Sequence, residues 1–469
     1  MTNNRNILLV YPRTGADAPN ISLHPPLSLL YLAAELRNDY RVAIYDQRTD
    51  EPQKYQQLLD QRPLCVGFSV FTGPQIKYAL PLAQKAKDQN LTTVFGGVHP
   101  TILPQQTAQD DRVDYVVAGD GEYALRTLLE ALQQNKPLGP VVNGAQAQKV
   151  DLDQIPPLPY ELVRVENYIH NATLPGRCLP FLFSRGCPYQ CTFCCNPAIS
   201  KGKWRVMNVD VALSRLDQMV DKHRLDAVFF LDENLMVHPD ILNELTRRIG
   251  GRFAWGAQAR ADALLKYDLK FLQKSGARYF GVGLESGSDK ILRQIKKRET
   301  VAQFLEANRR LARTNISVWY NYITGFPDET LDDLRATLDL ALTMLDENPS
   351  AQNNTFYLLT PYPGTEIGNS LQHVMPANLA GWAEFGRHNY NAQWHDPQRM
   401  KLYQRIGFSS KFTGRRLTTL FPHDPDLARL AQTMTQKWRT FDLFDDQQWQ
   451  TLTQKGGQIL QKLFGPHAY

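Results

Sequence analysis

Apolar and polar positions in residues 1–140 follow two alternating rhythms. Short apolar runs at 7–11, 42–45, 65–70, 93–95 and 115–117 have the length of buried strands, and stretches with helical spacing at 27–37, 53–60, 75–88 and 121–133 separate them. The alternation predicts a doubly wound parallel sheet with helices on both faces, over 1–140. Such sheets take ligands beyond the carboxyl ends of their strands. Glycine and polar residues collect at those ends: Ser69-Val70-Phe71-Thr72-Gly73, Gly96-Gly97-Val98-His99-Pro100-Thr101 and Gly119-Asp120-Gly121-Glu122.

Beyond residue 136 the periodicity fades and Pro156, Pro157 and Pro159 accumulate, which predicts an extended linker over 141–179. A second alternating series follows. Strands are expected at 181–184, 227–231, 253–257, 279–283, 317–323 and 355–359, with helices at 208–221, 239–249, 268–275, 289–296, 301–313 and 331–345. Six βα units imply a partial parallel barrel over 180–375, with its chemistry on the loops after the strands. The strand signal then ends, and Trp438, Phe441, Phe444, Trp449, Leu460 and Phe464 predict a small helical segment over 376–469.

Length and composition narrow the class. A chain of 469 residues fits roughly three domains. With 43% hydrophobic and 21% charged residues it can build cores without disulfides. The net charge of +5 arises from 52 basic and 47 acidic residues dispersed along the chain, and the longest basic run is Lys296-Lys297-Arg298. That dispersal argues against a nucleic-acid partner. No apolar stretch approaches the ~18 residues of a membrane span, and the first apolar run stops at Pro12, too early for a secretion signal. A cytoplasmic protein is expected.

The cysteines change the picture. Cys65 and Cys178 stand alone, whereas Cys187, Cys191, Cys194 and Cys195 fall within nine residues. Directly after the first strand of the second series, Cys187, Cys191 and Cys194 stand at C-x3-C-x2-C spacing, with Gly186 and Pro188 shaping the backbone. Three thiolates so spaced can hold a [4Fe–4S] cluster and leave one iron without a protein ligand. Structural zinc would ask for four ligands, commonly in two separated pairs, and an electron-transfer cluster for four cysteines.

With Phe193 just before the third cysteine, this stretch resembles the radical S-adenosylmethionine enzymes. Similar stretches recur in order: Leu231-Asp232-Glu233-Asn234, Gln258-Ala259-Arg260-Ala261-Asp262, Gly283-Leu284-Glu285-Ser286-Gly287-Ser288, Ile323-Thr324-Gly325-Phe326-Pro327 and Pro361-Tyr362-Pro363-Gly364-Thr365. The resemblance implies that the open iron binds the amine and carboxylate of S-adenosylmethionine. One electron then cleaves the sulfonium to a 5′-deoxyadenosyl radical. The cationic amine wants an acceptor such as Asp232 or Glu233, the carboxylate the planar donors of Arg260, the ribose Glu285 and the adenine a backbone edge at Ile323–Gly325. Phe193, Gln258 and Ser286 complete the set expected around this cofactor. Cys178 and Cys195 match nothing in the motif and are expected to behave as small hydrophobes.

The first 140 residues resemble the cobalamin-binding domain that precedes many such barrels, through Pro25–Ala34 and the three strand-end stretches above. The resemblance implies cobalamin contacts from Ser69, Phe71, Thr72, Gly73, Gly96, Gly97, Val98, Gly119 and Glu122. The Asp-x-His-x-x-Gly motif that often supplies a cobalt ligand is absent, although His24 stands at a comparable offset. Cobalt is therefore expected to lack a protein histidine, with Phe71 or Thr72 beneath it. Together these resemblances imply a cobalamin-dependent C-methyltransferase acting on an unactivated carbon of a small molecule. An external reductant of flavodoxin or ferredoxin type would feed it electrons. The anaerobic magnesium-protoporphyrin monomethyl ester cyclases, which the chain also resembles, offer oxidative ring closure as the alternative.

Overall fold

Strands whose residues are buried on both faces belong to sheets covered by helices on both sides. The first sheet is built this way. In the computed structural model, which describes residues 4–15, 17, 23–136, 138–144, 150–170, 173–385 and 396–464, two compact units emerge. One comprises 1–188, 193–229 and 361–391, and the other 189–192, 230–360 and 392–469.

The first unit opens with β1 (Asn6–Tyr11), α1 (Leu27–Leu36), β2 (Arg41–Asp46), α2 (Pro52–Asp60), β3 (Cys65–Ser69), α3 (Pro74–Asp88) and β4 (Thr93–Gly96). It continues with α4 (Val98–Ile102), α5 (Pro104–Ala108), β5 (Tyr115–Ala118), α6 (Gly121–Gln133) and β6 (Val141–Asn143). The strands order as β2-β1-β3-β4-β5-β6, and every recorded pairing is parallel. The direction of winding reverses between β1 and β3, which opens a crevice at their carboxyl ends. The Gln75 side chain spans that crevice: its amide donates to the Pro12 carbonyl at 3.1 Å and accepts from the Phe71 N–H at 2.8 Å.

Residues 150–170 are more firmly held than an extended linker suggests. Leu152, Ile155, Tyr160, Tyr168 and Ile169 are buried, and the Tyr168 hydroxyl donates to Asp46 at 2.7 Å. After β7 (Cys178–Phe181) the chain makes a short antiparallel ribbon of β8 (Ser184–Arg185) and β9 (Arg205–Val206), with α7 (Asn196–Ser200) in its loop. The expected 181–184 strand is thus split: β7 ends at Phe181, and Ser184 pairs instead with Val206. α8 (Val209–His223) and β10 (Ala227–Phe230) follow.

The second unit carries α9 (Pro239–Ile249), β11 (Ala254–Ala259), α10 (Ala261–Leu264), α11 (Leu269–Lys274), β12 (Ala277–Glu285), α12 (Asp289–Gln294) and α13 (Val301–Leu311). Then come β13 (Ser317–Thr324), α14 (Leu331–Glu347) and β14 (Ala351–Leu358). The second sheet runs β14-β13-β12-β11-β10-β7, in chain order, and pairings β11 to β14 are parallel. That is the partial barrel expected from six βα units. β13 shows its two faces by strict alternation: Tyr320 and Tyr322 are buried and hydrogen-bond to Asn308 and Asn353, while Trp319, Asn321 and Ile323 point the other way, half-buried.

The remaining elements are α15 (Glu366–Ser370), which lies in the first unit, and α16 (Pro397–Thr413), α17 (Arg416–Leu420), α18 (Pro425–Arg439) and α19 (Asp446–Phe464). Phe412, Leu427, Leu430, Met434 and Leu460 form the core of the last four. Residues 375–385 join the first unit. Trp382 and Phe385 enter the core of the first sheet, and the Trp382 indole donates to Gln106 at 2.5 Å. Among the described residues no helix is long and apolar enough to cross a membrane.

Candidate functional site

At the strand ends of the first sheet, Gly73, Gly97 and Gly119 have φ of 107°, 99° and 87°, where a side chain is strained. A Cβ on Gly97 would sit 2.9 Å from both the Val70 nitrogen and oxygen, so this glycine lets two strand-end loops touch. Ser69 is buried with its hydroxyl 3.1 Å from that of Ser28. The Thr72 hydroxyl lies 2.9 Å from His99 Nδ1. Val98 begins α4, Gly96 ends β4, and the Gly119 N–H donates to Thr101 at 2.9 Å. Phe71 is 48% exposed beside the crevice, a large apolar surface suited to a bulky ligand.

Neither nearby histidine is poised as a base. Burial holds His99 down to about 4, and burial with the Arg48 charge does the same for His24, whose ring stacks on Phe229. Glu122 is 3% exposed and bonded to Arg185 at 2.7 Å. Arg185 also lies over the Tyr31 ring, and Arg205 across the ribbon reaches Asp120 at 2.7 Å. The Gly119–Glu122 loop is thereby tied to the ribbon that precedes Cys187.

The cysteine loop is shaped by backbone contacts. Gly186 has φ of 91°, and any Cβ there would collide with the Lys203 carbonyl. The Ser200 hydroxyl donates to the Cys187 carbonyl at 3.3 Å, and the Asn196 N–H donates to Cys194 Sγ at 3.5 Å. Thr192 donates its N–H to the Ile295 carbonyl at 3.0 Å, and Cys191 Sγ lies 3.9 Å from the Lys296 carbonyl. None of the six cysteines is joined in a disulfide. Cys65 and Cys178 are buried, which pushes each up to about 12 and leaves them inert. Cys187, Cys191, Cys194 and Cys195 are half-buried, so Cys195 is not packed away as the small hydrophobe expected of it, and Phe193 beside them is half-buried too. Among the described residues no three His, Cys, Asp or Glu side chains surround a single ion position. A cubane does not ask for that, because its cysteines bind separate irons. The donor set fits the cluster.

In the second unit, Asp232 is 2% exposed while Glu233 is exposed. Gln258, the last residue but one of β11, has its amide lying against Gly281, where a Cβ would leave no room for it. Glu285, at φ 65°, pairs with Lys297 at 3.0 Å, and Ser286 lies 3.2 Å from the Thr337 hydroxyl. Arg260 is engaged on every side: Asp262 at 2.9 Å, Glu299 at 3.2 Å, the Lys297 carbonyl at 2.8 Å and the Tyr189 ring at 3.7 Å. Ile323 is half-buried, and the Gly325 N–H donates to Glu329 at 2.9 Å. Burial pushes Glu329 up to about 7. Lys297 and Glu299 escape sequence reasoning; the only signal for them is an acid directly following the basic run at 296–298.

Two stretches of the chain match known domain families. The radical SAM superfamily matches residues 181–341 and the B12 binding domain residues 21–129. An uncharacterized methyltransferase of Pyrococcus horikoshii is 28% identical over 388 residues, 77% of this chain and 82% of its own. The anaerobic magnesium-protoporphyrin IX monomethyl ester cyclase of Rubrivivax gelatinosus is 27% identical over 396 residues, 78% of this chain and 70% of its own. The cobalamin-dependent S-adenosylmethionine radical enzyme OxsB, solved with aqua-cobalamin and S-adenosylmethionine bound, superposes with a TM-score of 0.69 at 17% identity, covering 98% of this chain and 80% of that one. Residues 181–341 thus form a radical SAM domain, preceded over 21–129 by a B12-binding domain. It is an enzyme, and those domains imply a [4Fe–4S] cluster, S-adenosylmethionine and cobalamin as its cofactors.

Proposed function

We propose that the protein is a cobalamin-dependent C-methyltransferase acting on an unactivated carbon of a small molecule. The observation that carries this reading is the presence in one chain of a half-buried C-x3-C-x2-C loop and a doubly wound sheet with Phe71 uncovered beside its crevice. The methyltransferase name of the Pyrococcus relative supports it. When bound, the cofactors supply one-electron cleavage of a sulfonium, hydrogen abstraction from carbon and a transferable methyl group.

The residues divide the remaining work. Cys187, Cys191 and Cys194 hold the cluster and leave one iron for S-adenosylmethionine. Asp232 and Glu233 accept from its amine, Gln258, Glu285 and Ser286 serve its ribose, and the Ile323–Gly325 edge takes its adenine. Arg260 orients the Tyr189 ring within the cysteine loop, because its guanidinium is engaged by Asp262 and Glu299. Ser69, Phe71, Thr72, Gly73, Gly96, Gly97, Val98 and Gly119 line the corrin. Glu122 acts through Arg185. An external flavodoxin or ferredoxin-type protein delivers the electron in a reducing, cytoplasmic setting.

The test is anaerobic reconstitution with iron, sulfide and hydroxocobalamin, followed by turnover of a small-molecule extract with S-adenosylmethionine labelled in its methyl group. Label entering a product carbon alongside 5′-deoxyadenosine is the expected result. 5′-Deoxyadenosine with an oxidised, unlabelled ring product would replace methylation by cyclisation, the reaction named for the Rubrivivax relative.

A further inference from the structure

The turn after α12 buries more charge than a fold requires. Lys297 is 6% exposed, Glu299 4%, Glu285 7% and Arg260 8%. Groups like these are costly to bury unless each finds a partner. Here they find one another: Lys297 Nζ lies 3.0 Å from Glu285 Oε1 and 3.5 Å from Glu299 Oε2, and Arg260 reaches Glu299 at 3.2 Å. Burial pulls the Lys297 ammonium down, but Glu285 and Glu299 outweigh it and keep it charged.

The backbone is distorted to make this arrangement. Lys296, Arg298 and Glu285 all adopt left-handed conformations, at φ 54°, 56° and 65°, without being glycine. Such outliers persist where the surroundings impose them. Gly283 contributes by omission, since a Cβ there would collide with Glu285 Oε1 and stop the carboxylate folding back towards Lys297. The same turn receives the cysteine loop. Thr192 hydrogen-bonds to Ile295, Cys191 Sγ lies against the Lys296 carbonyl, and Tyr189 stacks on Arg260.

We propose that Lys297 is a positioning residue of the radical-generating site, holding the Glu285 carboxylate and keeping one positive charge beside Cys191 that favours the reduced cluster. The inference rests on the cluster assignment made above. A fixed cation near thiolate ligands stabilises the form of the cluster carrying the extra electron, and charge around a cluster is a principal determinant of its potential. Removing Lys297 leaves Glu285 and Glu299 with one cation fewer, so reduction becomes harder. Removing the Glu285 charge has the opposite sign.

The experiment is a redox titration of the reconstituted full-length protein, following the electron paramagnetic resonance signal of the reduced cluster without S-adenosylmethionine. S-Adenosylmethionine affinity is measured separately by equilibrium dialysis. At the wild-type midpoint, Lys297→Met is expected to lower the ratio of reduced to oxidised cluster about tenfold, equivalent to ~59 mV for one electron. It should also weaken S-adenosylmethionine binding about tenfold, with iron content unchanged. Lys297→Arg should restore most of the potential, and Glu285→Gln should raise the midpoint. A wild-type midpoint in Lys297→Met, or no upward shift in Glu285→Gln should the first variant misfold, overturns the proposal. A wild-type protein that takes up no cluster overturns the underlying assignment instead.

Discussion

The two sets of strand-end loops are built by opposite means. In the first unit side chains are removed: Gly73, Gly97 and Gly119 take conformations that other residues resist, and the nearby His24 and His99 are held neutral. In the second, Arg260, Lys297, Glu285 and Glu299 crowd charge into a buried turn. The difference matches the ligands proposed for each. A bulky macrocycle is accommodated by bringing backbone close, which only glycine permits. A small zwitterion must be oriented by charges, and those charges must first be oriented by each other.

The largest effect is expected from removing the cluster. Cys191→Ala, and equally Cys187→Ala or Cys194→Ala, should reduce S-adenosylmethionine cleavage to background while cobalamin uptake stays within about twofold of wild type. Iron analysis and 5′-deoxyadenosine quantification check this, and cleavage surviving in Cys191→Ala would detach the loop from the chemistry.

A smaller effect separates the units by pH. Glu329 is 7% exposed, pushed up to about 7 by burial, with one oxygen lacking a hydrogen-bond partner. The folded state keeps a proton that the unfolded chain releases above its ordinary value of 4.5. Stability of the second unit should therefore fall as pH rises from about 4.5 to 7, by up to roughly 3 kcal/mol, and then level off. His99 works the other way. Its folded value lies near 4 against 6.5 unfolded, so the first unit should lose stability as pH falls through that window. Hydrogen exchange across pH 4–8 reads both slopes, and Glu329→Gln should flatten only the second unit's.

The smallest effect is expected of Gly97→Ala. Strain at φ 99° and the 2.9 Å approach to Val70 should cost about 2 kcal/mol of first-unit stability and weaken cobalamin uptake several-fold. Thermal unfolding and corrin absorbance measure it, with the cluster expected to be intact.

Much of this was legible in the sequence because the signals are local. The runs at 42–45 and 93–95 and the helical spacing at 239–249 fall inside observed elements, since burial imposes its period on neighbours in the chain. The three cysteines and the strand-end glycines announce themselves by residue type. What stayed hidden depends on distant partners. β6 has only three residues and exists by pairing with β5. The ribbon of β8 and β9 joins segments twenty residues apart. Arg260 and Glu285 stand out within motifs, but nothing in their spacing reveals that Glu299 and Lys297 engage them.

The anchoring of Trp382 to Gln106 has a consequence for synthesis on the ribosome. The two residues are 276 positions apart, so the first sheet leaves the exit tunnel long before its closing tryptophan exists. At 5–20 residues per second the wait is roughly 15 to 55 s. Throughout it, the apolar surface that Trp382 and Phe385 will cover lies open to other nascent chains, and a holding chaperone would find there a surface to occupy.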